Sequence, residues 1–183
     1  MEEKKNPLLK STMTFGAIMG LALIVISLIM YLTNQIEKSW LSNTFTFIVL
    51  IVGITLSSKY HRDNSLNGFI SYGQSLSCGV LTGFFASILI AFYTFILFKF
   101  IDPSLIDQIT NMAREKILER YPNFTDEQVE TALSMTRKFT NPAVMFFMTI
   151  IGTTFYAFLV SLIVSIFIKK EDTSIDSNFQ QNA

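Results

Sequence analysis

An all-α membrane protein crossing the bilayer four times is the fold class this sequence predicts, and three observations predict it. Residues 11–33, 39–58, 64–98 and 139–168 form four stretches without a charged residue. Each is as long as a crossing or longer, because roughly 20 apolar residues at 1.5 Å rise span a hydrocarbon core of about 30 Å. Half of the 183 residues are hydrophobic and only 15% are charged, below the roughly 25% of a soluble domain. The charges that remain fall between and beside the uncharged stretches. A charge at mid-membrane costs about 2.5–3.5 kcal/mol on insertion scales, so that segregation is what a bilayer imposes.

Span one covers about residues 12–32. Lys4, Lys5 and Lys10 precede it, as in the basic region of a signal peptide. The apolar run from Met13 to Leu32 is too long for an ordinary signal core, however, and no small-x-small cleavage site follows it. A retained first helix is expected. A short polar connection, residues 33–38, leads to span two, about 40–58, which Trp40 and Tyr60 bracket as interfacial aromatics. So short a linker joins antiparallel neighbours, and the two spans form a hairpin. Lys59, Tyr60, His61, Arg62 and Asp63 then read as a juxtamembrane loop.

The third stretch exceeds one simple crossing. Ser71 and Gln74 have capping-box spacing, which starts span three at residue 71 or 72 and leaves 64–70 as an interfacial lead-in. The span is expected to reach residue 100. Asp102 and Pro103 end it, since the residue before proline avoids the helical region. Residues 104–140 form the only sizeable polar segment and read as two extramembrane amphipathic helices. Leu105, Ile109, Met112 and Ala113 make the stripe of the first, flanked by Ile106 and Ile117. Thr125 and Gln128 cap the second, whose apolar face carries Val129, Ala132, Leu133, Thr136 and Phe139. Asn141 and Pro142 punctuate before span four, about 143–168. Residues 1–170 are thus expected to form one domain, and the polar tail 171–183 is expected to be disordered.

Lys+Arg and Asp+Glu balance at 14 each, so no net field points to nucleic acid, and none is expected as a partner. A single cysteine, Cys78, leaves no thiol pair for a disulfide, zinc or redox exchange, and a single histidine, His61, removes most metal and triad chemistry. His61 beside Asp63 could exchange protons, but neither nucleophile nor phosphate loop accompanies the pair. No catalytic residue, cofactor or metal is expected. Within the spans there is no ionisable side chain of the kind that marks ion-coupled transport. Asn123, Phe124 and Thr125 match a glycosylation sequon, which a capped turn explains equally well.

The clearest pattern at membrane depth is a ladder of small side chains at intervals of four. Span three carries Ser75, Gly79, Gly83, Ser87 and Ala91; span one carries Gly16 and Gly20; span four carries Thr153, Ala157, Ser161 and Ser165. That interval keeps them on one helix face, where small residues let backbones approach closely. The face serves either packing within the chain or an oligomer or partner interface.

Four crossings put both termini on one side, which carries Lys4, Lys5, Lys10, Lys59, Arg62, Lys169 and Lys170, whereas the short loop opposite carries Lys38 alone. The longer polar segment has six basic and seven acidic residues and so counts for less. The positive-inside rule then favours cytoplasmic termini, with residues 99–142 outside.

Around Tyr60, His61, Arg62 and Asp63, along the run from Gly68 through Ser71 to Gln74, at Gly79 and at Ile101, Asp102 and Pro103, the chain resembles an uncharacterised bacterial group. This is domain-of-unknown-function family 4199, and the resemblance covers about residues 10–169. Arg62, Asp63, Gly68, Ser71, Gln74, Asp102 and Pro103 are its motif positions here. The resemblance implies a bacterial inner-membrane location and a four-span fold, with the polar insertion between spans three and four. It implies no activity. The leading expectation is a non-enzymatic accessory or scaffold subunit that binds a membrane partner or a second copy of itself. The alternative is a small oligomeric channel or passive transporter, with a membrane-embedded enzyme third.

Overall fold

The computed structural model describes residues 7–33 and 39–170, with side chains from residue 43 onward in the second segment. The connection 34–38, the side chain of Trp40 and the tail after Lys170 lie outside the described residues. The fold is all-helical: α1 (Pro7–Leu32), α2 (Ser39–Ser65), α3 (Tyr72–Ile96), a π-helical turn (Leu97–Ile101), α4 (Ser104–Arg120), α5 (Asp126–Phe139) and α6 (Pro142–Ile168). Four helical stretches are long and apolar enough to cross a membrane: Pro7–Leu32, Asn43–Ser65, Tyr72–Ile101 and Pro142–Ile168. The protein is a multi-pass membrane protein, as its uncharged stretches predict.

The chain forms two compact units: Ile90–Ile151, and the residues on either side of that segment. In the unit built from the flanking residues, α1 and α2 run antiparallel. Phe15 and Tyr60 meet with ring centroids 5.3 Å apart, and Gly53 faces Met19. The first part of α3 runs alongside α1, with Gly16 against Thr82 and Phe85 and Gly20 against Ala86 and Leu89. The last part of α6 runs antiparallel to α3, opposing Ser161 to Gly79 and Ala157 to Gly83. Met19, Leu50, Ile54, Ala86, Val160 and Val164 are buried between these helices. Large apolar side chains cover the outside, Phe167 being 82% exposed and Ile18 58%. Water would penalise such a surface, whereas lipid tails solvate it.

The capping box at Ser71 forms. The Ser71 N–H donates to Gln74 Oε1 at 2.9 Å, and the Gln74 N–H donates to Ser71 Oγ at 3.3 Å. Ahead of it, Ile70 and Lys170 exchange backbone hydrogen bonds at 2.9 Å in both directions. That isolated bridge ties the entry of α3 to the exit of α6. One feature differs from expectation here. Helix α2 continues to Ser65, so residues 59–63 are helical rather than a loop. The helix stops where Asn67 (φ 52°) and Gly68 (φ 87°) take left-handed conformations, and the Arg62 carbonyl accepts from the Gly68 N–H at 2.9 Å. Glycine adopts that conformation without steric cost and asparagine at little.

In the unit Ile90–Ile151, α3 ends in the π turn, where the Asp102 N–H donates to the Leu97 carbonyl at 2.8 Å. Asp102 then leaves helical geometry (φ −143°, ψ 81°), as its position before Pro103 requires. Its carboxylate accepts from the Ser104 N–H at 3.2 Å and from the Ser104 hydroxyl, starting α4. Helices α4 and α5 pack against each other, burying Leu105, Val129 and Leu133. Phe139, expected on that apolar face, is 59% exposed, because the buried stripe runs through Val129, Leu133 and Thr140 and Phe139 stands one residue to the side of it.

Thr125 Oγ1 accepts from the Gln128 N–H at 3.4 Å, and Gln128 Oε1 accepts from the Thr125 N–H at 3.0 Å. This reciprocal cap satisfies two donors that the start of α5 would otherwise leave open. Thr125→Ala is expected to cost about 1 kcal/mol of local stability. Hydrogen exchange at the Gln128 amide should accelerate about fivefold, with α1 amides unchanged.

Candidate functional site

The small-residue ladder meets neighbouring helices of the same chain. A Cβ placed on Gly16 would lie 2.6 Å from Phe85 Cβ, and one on Gly20 would lie 3.0 Å from Leu89 Cβ. A Cβ on Gly79 would collide with Ser161 Oγ and with Ile54 Cγ2 (2.8 Å), and one on Gly83 with Ala157 Cβ. Helix α3 therefore lies between α1 on one side and α6 on the other. Ser87 continues the seam, its Oγ accepting from Thr154 Oγ1 at 3.2 Å. Thr154, not the expected Thr153, makes that contact; Thr153 is half-buried.

Hydroxyl groups also join α2 to α3, in a way that spacing on single helices did not reveal. Ser57 Oγ of α2 lies 2.7 Å from Thr82 Oγ1 and 3.4 Å from Cys78 Sγ of α3. Thr82 in turn donates to the Cys78 carbonyl at 2.8 Å. Interhelical hydrogen bonds of this kind contribute about 0.6 kcal/mol on average in membranes. Cys78 is fully buried, a packing residue rather than an accessible thiol. The Ser75 and Ser165 hydroxyls are buried with no hydrogen-bond partner among the described residues. Ser75 was legible in the ladder; the Ser57–Thr82 pair was not, since 25 residues separate its members.

One end of this unit is basic. It gathers the start of α1, the end of α2, the start of α3 and the end of α6. His61 packs inward, its Nδ1 3.5 Å from Ser11 Oγ. Arg62, beyond the uncharged part of α2, donates to both carboxylate oxygens of Asp63, at 2.7 and 3.3 Å. Those hydrogen bonds, reinforced by attraction to Arg62, Lys170 and Lys59, hold the Asp63 carboxyl below its ordinary range. Lys170 Nζ sits 5.6 Å from the centroid of the Phe69 ring. Lys10 and Tyr60 line a surface groove of about 300 Å³ between α1 and α2. Of the family-motif positions, Arg62, Asp63, Gly68, Ser71 and Gln74 lie on the segment from the end of α2 to the start of α3. Asp102 and Pro103 belong to the other unit. The motif is therefore a set of helix-terminating and helix-starting devices, plus one ion pair. No group of three His, Cys, Asp or Glu among the described residues could hold a metal ion.

The turn between α4 and α5 carries a second cluster. Tyr121 and Phe124 stack with centroids 4.7 Å apart and planes 11° from parallel, and Arg120 lies 6.0 Å from the Tyr121 ring. Leu118 (44%), Tyr121 (46%) and Phe124 (38%) remain exposed. Aromatic and arginine side chains at an exposed tip are the residue types that anchor protein contacts. No sequence periodicity could show this cluster, because it forms across a turn.

The family described as "Protein of unknown function (DUF4199)" matches residues 14–170, and the chain belongs to it. No curated protein matches the chain, and no solved structure matches it.

Proposed function

We propose that this DUF4199 chain is a non-enzymatic accessory or scaffold subunit of a bacterial inner membrane, which docks a membrane-protein partner through the α4–α5 pair. The observation that carries the proposal is the Arg120, Tyr121 and Phe124 cluster: a preformed aromatic stack, exposed, on a helix pair whose apolar stripes already face each other. Tyr121 and Phe124 remain exposed at 46% and 38%, so the stack presents surface to a neighbour. The ladder glycines are by contrast occupied between helices of one chain, which leaves them little surface for a second copy. The basic end described above, with Lys10, Lys59, Arg62, Lys169 and Lys170, supports cytoplasmic termini by the positive-inside rule. Residues 99–142 then face the periplasm.

One labelled chain tests both parts. In a Cys78→Ala background, Asn123→Cys places a single thiol beside the stack. A membrane-impermeant maleimide is expected to label it from the periplasmic side of intact cells. A maleimide–benzophenone crosslinker at the same thiol should yield one defined adduct in native membranes, lost when Tyr121 and Phe124 are changed to serine. Adducts that persist in that variant, or monomer alone, would defeat the docking proposal; labelling only after membrane disruption would reverse the orientation.

The alternative, a passive channel or transporter, draws on the buried hydroxyls of Ser57, Thr82, Ser75 and Ser165. It requires solute flux from the purified protein in liposomes, whereas a scaffold gives none.

A further inference from the structure

Helices α2 and α6 leave a groove of about 340 Å³ between them on the lipid-facing side of their unit. Phe47, Ile51 and Thr55 line it from α2, and Ile163 and Phe167 from α6, with Lys59 at one end. From Phe47 to Lys59 the helix rises about 18 Å, close to the roughly 15 Å depth of one leaflet's hydrocarbon. The lining is apolar along that depth and cationic where it reaches the interface. We infer that this groove seats one acyl chain of an anionic phospholipid, with Lys59 binding the headgroup phosphate.

Three features select that occupant. The lining side chains are bulky and branched or aromatic, and they hold a neighbouring helix backbone too far away for the close approach that small residues permit. A single acyl chain is thin enough to enter. The charge complements an anion: the same end carries Lys10, Arg62, Lys169 and Lys170, and Asp63 is the one carboxylate near it among the described residues, hydrogen-bonded by Arg62. Lysine near a membrane surface attracts anionic headgroups by roughly fivefold per residue. Finally, Lys59 directly follows Ser58, where the uncharged run 39–58 of α2 ends, which places its ammonium at headgroup depth.

The test uses the full chain in non-ionic detergent, offered equimolar dioleoylphosphatidylglycerol and dioleoylphosphatidylcholine and read by native mass spectrometry. One phosphatidylglycerol molecule is expected to be retained in preference. Lys59→Gln should cut that preference about fivefold while leaving helicity unchanged. Thr55→Phe, which fills the groove, should reduce retention of both lipids, and Ile163→Trp at the exposed rim repeats this if Thr55→Phe does not fold. Equal retention of the two lipids would overturn the inference, as would a preference indifferent to Lys59→Gln. Retention unaltered by either groove-filling variant would also overturn it, and so would a stoichiometric polypeptide bound in place of lipid.

Discussion

Gly83→Ile is expected to unfold the helical bundle in detergent, with a loss of about 3 kcal/mol or more. At Gly83 a Cβ would collide with the Ala157 Cβ on α6. The obstructing atom is a Cβ bonded directly to backbone, not the tip of a flexible chain, so α3 and α6 must separate to make room. Isoleucine adds two γ carbons to that conflict. Separation would also disturb the next contacts along the seam, Gly79 against Ser161 and Ser87 against Thr154. Denaturation of the purified protein in mixed detergent micelles, followed by circular dichroism, measures the effect. Gly83→Ala should be destabilising by a smaller amount, and adding Ala157→Gly should recover much of the loss by vacating the same space. Gly152→Ala is the control: nothing lies within 4 Å of a Cβ placed there, and alanine has the better helix propensity by about 1 kcal/mol. That variant should be neutral or slightly more stable. Unchanged stability in Gly83→Ile, with an altered oligomeric state instead, would move the seam from within the chain to between chains.

How far the sequence foretold this arrangement depends on whether the determining signal was local. The four crossings were legible because exclusion of charge from hydrocarbon acts residue by residue. Both capping boxes, at Ser71 and at Thr125, were legible because their partners stand three residues apart. The break at Asp102 was legible from Pro103, although not the π turn that precedes it, since nothing in residues 97–101 distinguishes that turn from ordinary helix. The charges at Lys59, Arg62 and Asp63 were misread as a loop. They mark the water boundary rather than the end of the helix, which Asn67 and Gly68 set. The ladder at Gly79 and Gly83 showed a packing face but not which neighbour it meets. The choice of Thr154 over Thr153 is one of helix rotation, which a repeat of four cannot resolve, since 3.6 residues complete a turn. Phe139 follows the same logic: the buried stripe passes through Thr140, one residue further on, and leaves Phe139 outside it.

Leu133→Ala is expected to open the α4–α5 pair without unfolding the α1–α2 hairpin. Leu133 is 1% exposed and Val129, four residues earlier on the same face, is 2% exposed; Leu105 of α4 is 2% exposed in the same unit. Replacing a buried leucine by alanine removes its transfer free energy and leaves a cavity, together about 2–5 kcal/mol. Two short helices joined by a turn have little else to hold them. Helices of 17 and 14 residues are marginal in water without tertiary contacts. Amide exchange across residues 104–140 should therefore accelerate by about two orders of magnitude, since each 1.4 kcal/mol is tenfold. Amides of α1 and α2 should keep their protection, because their burial rests on Met19, Leu50 and Ile54. Met135→Ala, at a side chain 62% exposed, should fall within about 0.5 kcal/mol of the parent. The same variant pair separates architecture from docking. If the aromatic stack at Tyr121 and Phe124 serves a partner, Leu133→Ala should lose the crosslinked adduct while Met135→Ala retains it. An adduct that survives in Leu133→Ala would mean that recognition needs the turn alone and not the packed helices beneath it.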